Sequence, residues 1–134
     1  MILSSLNAGT GRLILRIGLG ALLLFHGIAK ILHPASLDFI GGMLVANNLP
    51  SVLAYGVYVG EVIAPMMVIV GYYTRIGGLL IAVNMTFALF LVHSDEWLRL
   101  TEHGGSAIEL QLFYLISALA MVFLGSGKYA YKQD

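Results

Sequence analysis

The stretch from Ile76 to Ser94, IGGLLIAVNMTFALFLVHS, runs nineteen residues without an Asp, Glu, Lys or Arg. About 20 mostly apolar residues are what a helix needs to cross the roughly 30 Å hydrocarbon layer of a membrane. A second uncharged run follows at residues 110–127. Two further apolar runs, 13–32 and 52–70, carry ionisable residues inside them: Arg16, His26 and Lys30 in the first, Glu61 in the second. In water these two would expose far more apolar area than so few charges can solvate. The reading is therefore all-α: a polytopic membrane protein, one domain over residues 1–134, with four transmembrane helices near 13–32, 52–70, 76–94 and 109–125.

Composition supports this. The 134 residues are 59% hydrophobic and 10% charged, where a soluble domain carries roughly a quarter charged residues. That excludes a soluble monomer, and the same surplus of apolar residues at zero net charge excludes disorder. Zero net charge argues against nucleic acid as a partner. With no cysteine there is no disulfide, thiolate metal site or thiol nucleophile, and no two of the four histidines stand three or four apart, so no metal site is read.

The connections fit the count. His33, Pro34, Gly41, Gly42, Asn47, Asn48 and Pro50 break the chain between the first two spans, leaving residues 37–46 as a short helix at the interface. Tyr72, Tyr73 and Trp97 stand where aromatic belts form, and Gly125-Ser126-Gly127 ends the fourth helix. Arg12 and Arg16 before an apolar run resemble a signal peptide, but the run is too long and lacks a small-x-small cleavage site, so an uncleaved span is expected. With four crossings, Arg12, Arg16, Arg75, Lys128 and Lys132 share one side, and Lys30 and Arg99 the other. That asymmetry puts both termini in the cytoplasm of a bacterial inner membrane.

At about 100° per residue, Arg16, Gly20, His26, Gly27 and Lys30 share one face about 120° wide, which turns into the protein. Glu61 lies nine residues from Val52 and from Val70, about 13 Å from either edge of its span. A carboxylate at that depth costs several kcal/mol unless paired, protonated or hydrated, so Glu61 is the leading functional residue. His26, Arg16 and Tyr58 are its candidate partners, with His26 the second catalytic candidate. Pro65, which cannot donate a backbone hydrogen bond, frees the Glu61 carbonyl. His26, Lys30, His93 and Glu109 fall toward the outer ends of their helices and, with Glu61 deeper, outline a polar funnel. Arg16, Lys30, Tyr58, His93 and Glu109 are the candidate ligand-binding residues. Plainer roles exist for several: Lys30 and Arg75 as interfacial anchors, Gly20 and Gly27 as packing residues, and Glu61 paired with His26 only to fix helix register.

Arg16, Gly20 and Gly27-Ile28-Ala29-Lys30, then Glu61, Gly71-Tyr72-Tyr73-Thr74-Arg75, His93 and Gly125-Ser126-Gly127-Lys128-Tyr129 together resemble the DoxX family, from Arg12 to Tyr131. The resemblance implies a four-helix inner-membrane protein. The family takes its name from a subunit of a terminal quinol oxidase, also described as a thiosulfate:quinone oxidoreductase. Other members are tied to membrane oxidoreductase complexes and to resistance against oxidative or thiol stress. On that footing the expected function is an auxiliary or quinone-associated component of a membrane oxidoreductase system. A quinone is the cofactor brought into view, and other oxidoreductase subunits or further copies of this chain are the protein partners. The alternatives are a non-catalytic membrane subunit that organises a partner protein, and a small proton-coupled transporter.

Overall fold

The computed structural model describes Leu3 and residues 6–134, and the secondary structure there is helical except for a single bridge, Leu100 to Ser106, inside a loop. Helix α1 runs Ala8–Leu32, with Asn7 capping its start by accepting from the Thr10 N–H at 2.8 Å. It stops just before Pro34, which disfavours helical backbone in the residue ahead of it. Helix α2 runs Ala35–Ala46; it begins two residues earlier than read from sequence because Pro34 serves as its N-cap.

Helix α3 spans Ser51–Val70 and is not uniform. It opens with a 3₁₀ turn, Ser51–Tyr55, passes through one α-helical turn, and widens into a π segment, Val59–Ile63, before regular helix resumes at Ala64. The wide turn carries Glu61 and sits just ahead of Pro65, where a backbone donor is missing. Gly71, at φ 80°, ends it. Helix α4, Thr74–Val92, finishes in a second π segment, Ala88–Val92, closed by the His93 N–H on the Ala88 carbonyl at 3.1 Å.

Helix α5 is Glu109–Leu124. Gly125, at φ 73°, stops it after 16 residues, about 24 Å of helix. So α1, α3 and α4 are long and apolar enough to cross a membrane, while α5 is apolar but shorter than the uncharged run in the sequence.

Side-chain pairings fix the relative directions. Arg16 of α1 reaches Val68 and Ile69 of α3, whereas Lys30 reaches Glu61. Glu61 meets Asn84 of α4, and His93 beyond the end of α4 meets Gln111 of α5. Each long helix thus runs against the one before it, and α5 returns beside α1. Their common core is Leu19, Leu23, Ala64, Val68, Ile81, Ala82, Met85, Tyr114, Ala118 and Met121.

The outside is apolar as well. Ile14, Leu22 and Phe25 on α1, Ile76, Val83 and Phe90 on α4, and Phe113, Ile116 and Phe123 on α5 are all exposed, while Arg16 and Glu61 are 1% and 5% exposed. Polar groups inside and Phe and Ile outside is the arrangement a hydrocarbon solvent selects.

The α1–α3 contact is close because two glycines lie in it. A Cβ on Gly20 would run into the Ile69 side chain and the Pro65 carbonyl; one on Gly27 would overlap the Glu61 carbonyl itself. A backbone carbonyl inside a helix cannot swing aside as a side-chain tip can. Gly27→Leu is expected to destabilise the protein by about 1–3 kcal/mol. Thermal unfolding in detergent checks this, with Gly42→Leu, which has open space around it, as the silent control.

Candidate functional site

One end of the helix assembly holds a half-open cavity of about 820 Å³, walled mainly by apolar side chains of α1 to α5. Among them, Glu61 presents its carboxylate from the π segment of α3, and both oxygens are engaged. Oε2 accepts from Lys30 Nζ at 2.5 Å and Oε1 accepts from Asn84 Nδ2 at 3.0 Å. The Glu61 side chain is 6% exposed and that of Lys30 is 23% exposed.

Each helix contributes for a local reason. Lys30 sits in the last turn of α1, one turn beyond His26, so its long stem can turn inward. Gly60 lets the Asn84 side chain lie directly on the α3 backbone, since a Cβ there would collide with it. The Asn84 amide is thereby held against the carboxylate.

His26 lines the same cavity with its ring edge toward Tyr114 of α5, centroids 5.9 Å apart. Toward the far end of the cavity stands His93. Its Nδ1 lies 2.9 Å from Glu96 Oε2 and its Nε2 lies 3.3 Å from Gln111 Nε2. The Gln111 Oε1 is buried and has no hydrogen-bond partner among the described residues.

Against the sequence expectations, the cavity gathers Glu61, His26, Lys30 and His93 and leaves three candidates elsewhere. The partners of Glu61 are Lys30 and Asn84, rather than His26, Arg16 or Tyr58. Tyr58 turns its ring to Tyr55, centroids 6.3 Å apart. Glu109 is exposed in the first turn of α5, its carboxylate against Gly105, where it complements the helix dipole.

Arg16 lies at the opposite end. There its guanidinium donates to the carbonyls of Val68 at 2.9 Å, Ile69 at 2.8 Å, Ser126 at 3.3 Å and Tyr129 at 2.9 Å. These include the open carbonyls at the end of α3, so the side chain closes a helix terminus and does not reach out to lipid phosphate. Arg75 does the same for α5, donating to Val122 and Phe123 at 2.6 and 2.9 Å.

Sequence reasoning missed Asn84, Tyr114 and Gln111. Asn84 was detectable as the lone amide side chain within the 76–94 run. Gln111 and Tyr114 stand three apart, one turn of a single helix face. Among the described residues, no group of three or more His, Asp or Glu side chains is placed to hold a metal ion.

A family model described as DoxX matches residues 11–94, which takes in Arg16, Lys30, Glu61, Asn84 and His93 and stops before α5. A Haemophilus influenzae protein described only as uncharacterized is 32% identical over 114 residues, which is 84% of this chain and 81% of that protein. No solved structure matches the chain.

Proposed function

The chain belongs to the DoxX family, and from that premise we propose that it is a membrane protein of four crossings whose cavity takes the head of a lipophilic quinone. In this reading it serves as an auxiliary component of a membrane oxidoreductase system. The observation that carries it is the Lys30–Glu61–Asn84 cluster in a mainly apolar cavity. Ligand sites are commonly concave and apolar, with a few polar groups that fix orientation.

Lys30 uses one N–H on Glu61 and has two left for a carbonyl oxygen. Tyr114 and His26 line the same cavity, their rings 5.9 Å apart. Reduction of a quinone takes up two electrons and two protons. The electrons come from a partner subunit, and Glu61 and His26 are the groups of this chain that exchange protons.

Four crossings include α5, which the bilayer accommodates by local thinning around a short helix. The basic residues Arg12, Arg16, Arg75, Lys128 and Lys132 sit at the end away from the cavity. That end, with both termini, faces the cytoplasm of a bacterial inner membrane. Tyr72, Tyr73 and Tyr131 form an edge-to-face group there, as an aromatic belt does.

Native mass spectrometry of gently extracted protein tests the reading. The expected result is one quinone per chain, absent after the paired exchange Lys30→Met with Glu61→Leu. A co-purifying protein subunit with no retained small molecule would overturn it in favour of an organising subunit.

A further inference from the structure

We propose that the seam between the start of α1 and the tail after α5 binds the headgroup of an anionic phospholipid, with Arg12 and Lys128 as its two cationic contacts. The seam lies at the end of the helix assembly away from the cavity, and two glycines bring its residues together. A Cβ on Gly127 would meet the stem of Arg12, 3.0 Å from Cδ. One on Gly9 would meet the stem of Lys128, 3.0 Å from both Cγ and Cε. The tail backbone therefore rests on Arg12, and Lys128 folds back along the first turn of α1.

Charge is unbalanced here. Arg12, Arg16 and Lys128 converge on residues 126–129, Arg16 by donating to the Ser126 and Tyr129 carbonyls. Asp134 brings the one carboxylate side chain of this end, and it accepts from the backbone N–H groups of Arg75 and Ser126. Among the described residues the ion pairs are Lys30–Glu61 and His93–Glu96, both at the cavity end. The Arg16 guanidinium is fully occupied by carbonyls. Arg12 differs: its Nε is buried and has no hydrogen-bond partner among the described residues. Lys128 is exposed, its Nζ over the Tyr129 ring at 5.0 Å. A guanidinium held by packing without an acceptor, next to an exposed ammonium, is short of one anion. Phosphate suits both, since arginine offers it paired N–H groups and lysine a point charge.

Depth identifies the phosphate as a lipid's. Ile14 follows Arg12 by two residues and is 68% exposed; Phe123 precedes Lys128 by five and is 81% exposed. The two cations thus stand where the apolar outer surfaces of α1 and α5 end, which is headgroup level for a chain whose outside faces hydrocarbon. A net-negative headgroup offsets the surplus charge, whereas a choline headgroup would add another cation beside it. The seam and the cavity share no residue, so this assignment does not rest on the quinone reading.

Native mass spectrometry of the full chain in mild detergent, titrated with dioleoyl phosphatidylglycerol or dioleoyl phosphatidylcholine, tests it. One phosphatidylglycerol per chain is expected to bind about thirtyfold tighter than phosphatidylcholine, the scale of two cations at an anionic headgroup. Arg12→Gln and Lys128→Gln should each lower that preference about fivefold. Lys132→Gln, at a cation lying over the Tyr73 ring at 6.0 Å, should leave it unchanged. Without added lipid, Arg12→Gln should unfold no more easily than the parent, because the side chain it alters has no ionic partner to lose; its weaker lipid binding is then not misfolding. Equal retention of the two lipids by the parent overturns the proposal. So does an equal loss from Lys132→Gln, which would make overall charge the cause, or displacement of the lipid by equimolar inorganic phosphate.

Discussion

Arg16→Met is expected to leave little or no folded protein in mild detergent. Methionine matches the volume of the aliphatic stem but donates nothing, and four buried or part-buried carbonyls lose their donor at once. Hydrogen bonds from a charged donor contribute about 1.5–3 kcal/mol each, so the sum is about 6 kcal/mol or more. A typical domain has only about 5–15 kcal/mol in total. The loss is also spread across the structure. Arg16 belongs to α1, two of its acceptors end α3, and the other two lie in the tail that follows α5, so one side chain ties three parts of the chain together. Arg16→Lys should recover only part of the loss, because an ammonium cannot present the guanidinium's fan of donors to four separate oxygens. Size-exclusion recovery after extraction, with the unfolding midpoint in sodium dodecyl sulfate, measures both. A monodisperse, wild-type-like Arg16→Met protein would mean that the carbonyls find other partners and the clamp is dispensable.

The behaviour of Arg16 also marks where sequence reading stops. Hydrophobic run length identified the long helices to within a few residues, because burial in hydrocarbon is decided by composition over a whole segment. The inward turn of the Arg16 and Glu61 faces was equally legible, since the penalty for aiming a charge at lipid is large and the 3.6-residue period is rigid. What each charge would meet was not legible. Helix periodicity gives a direction around an axis but no partner across it, and the partner depends on axial register. That register is set here by Gly20 and Gly27, which let α1 settle against Pro65 and Glu61 of α3. At this register Lys30 stands level with Glu61, and Arg16 lies more than three helical turns away. The π turn at Val59–Ile63 changes the angle further, because one added residue rotates everything beyond it. Asn84 escaped notice for a different reason: an amide in an apolar run carries no formal charge and weighs little in any count, although it completes the coordination of the carboxylate.

The ion pair itself yields the second large effect, and its sign separates a structural role from a functional one. Glu61→Leu removes the carboxylate and leaves Lys30 unpaired beside an apolar wall, which is expected to cost about 3–5 kcal/mol. Lys30→Met should cost somewhat less, because Asn84 still donates to the stranded carboxylate. Combining the two exchanges should restore stability to within about 1 kcal/mol of the parent or raise it, because a buried pair replaced by well-packed apolar groups is commonly neutral or stabilising. The cycle, measured by unfolding in detergent, therefore predicts strong coupling between residues 30 and 61. Function should not follow stability. If the pair served only to fix helix register, the stable double variant would keep every activity of the parent. If it is the working part of the cavity, the double variant folds but retains no quinone. A protein as stable as the parent and empty of function is the expected result, and it arises because a less costly apolar filling was available to this position and a charged pair occupies it instead.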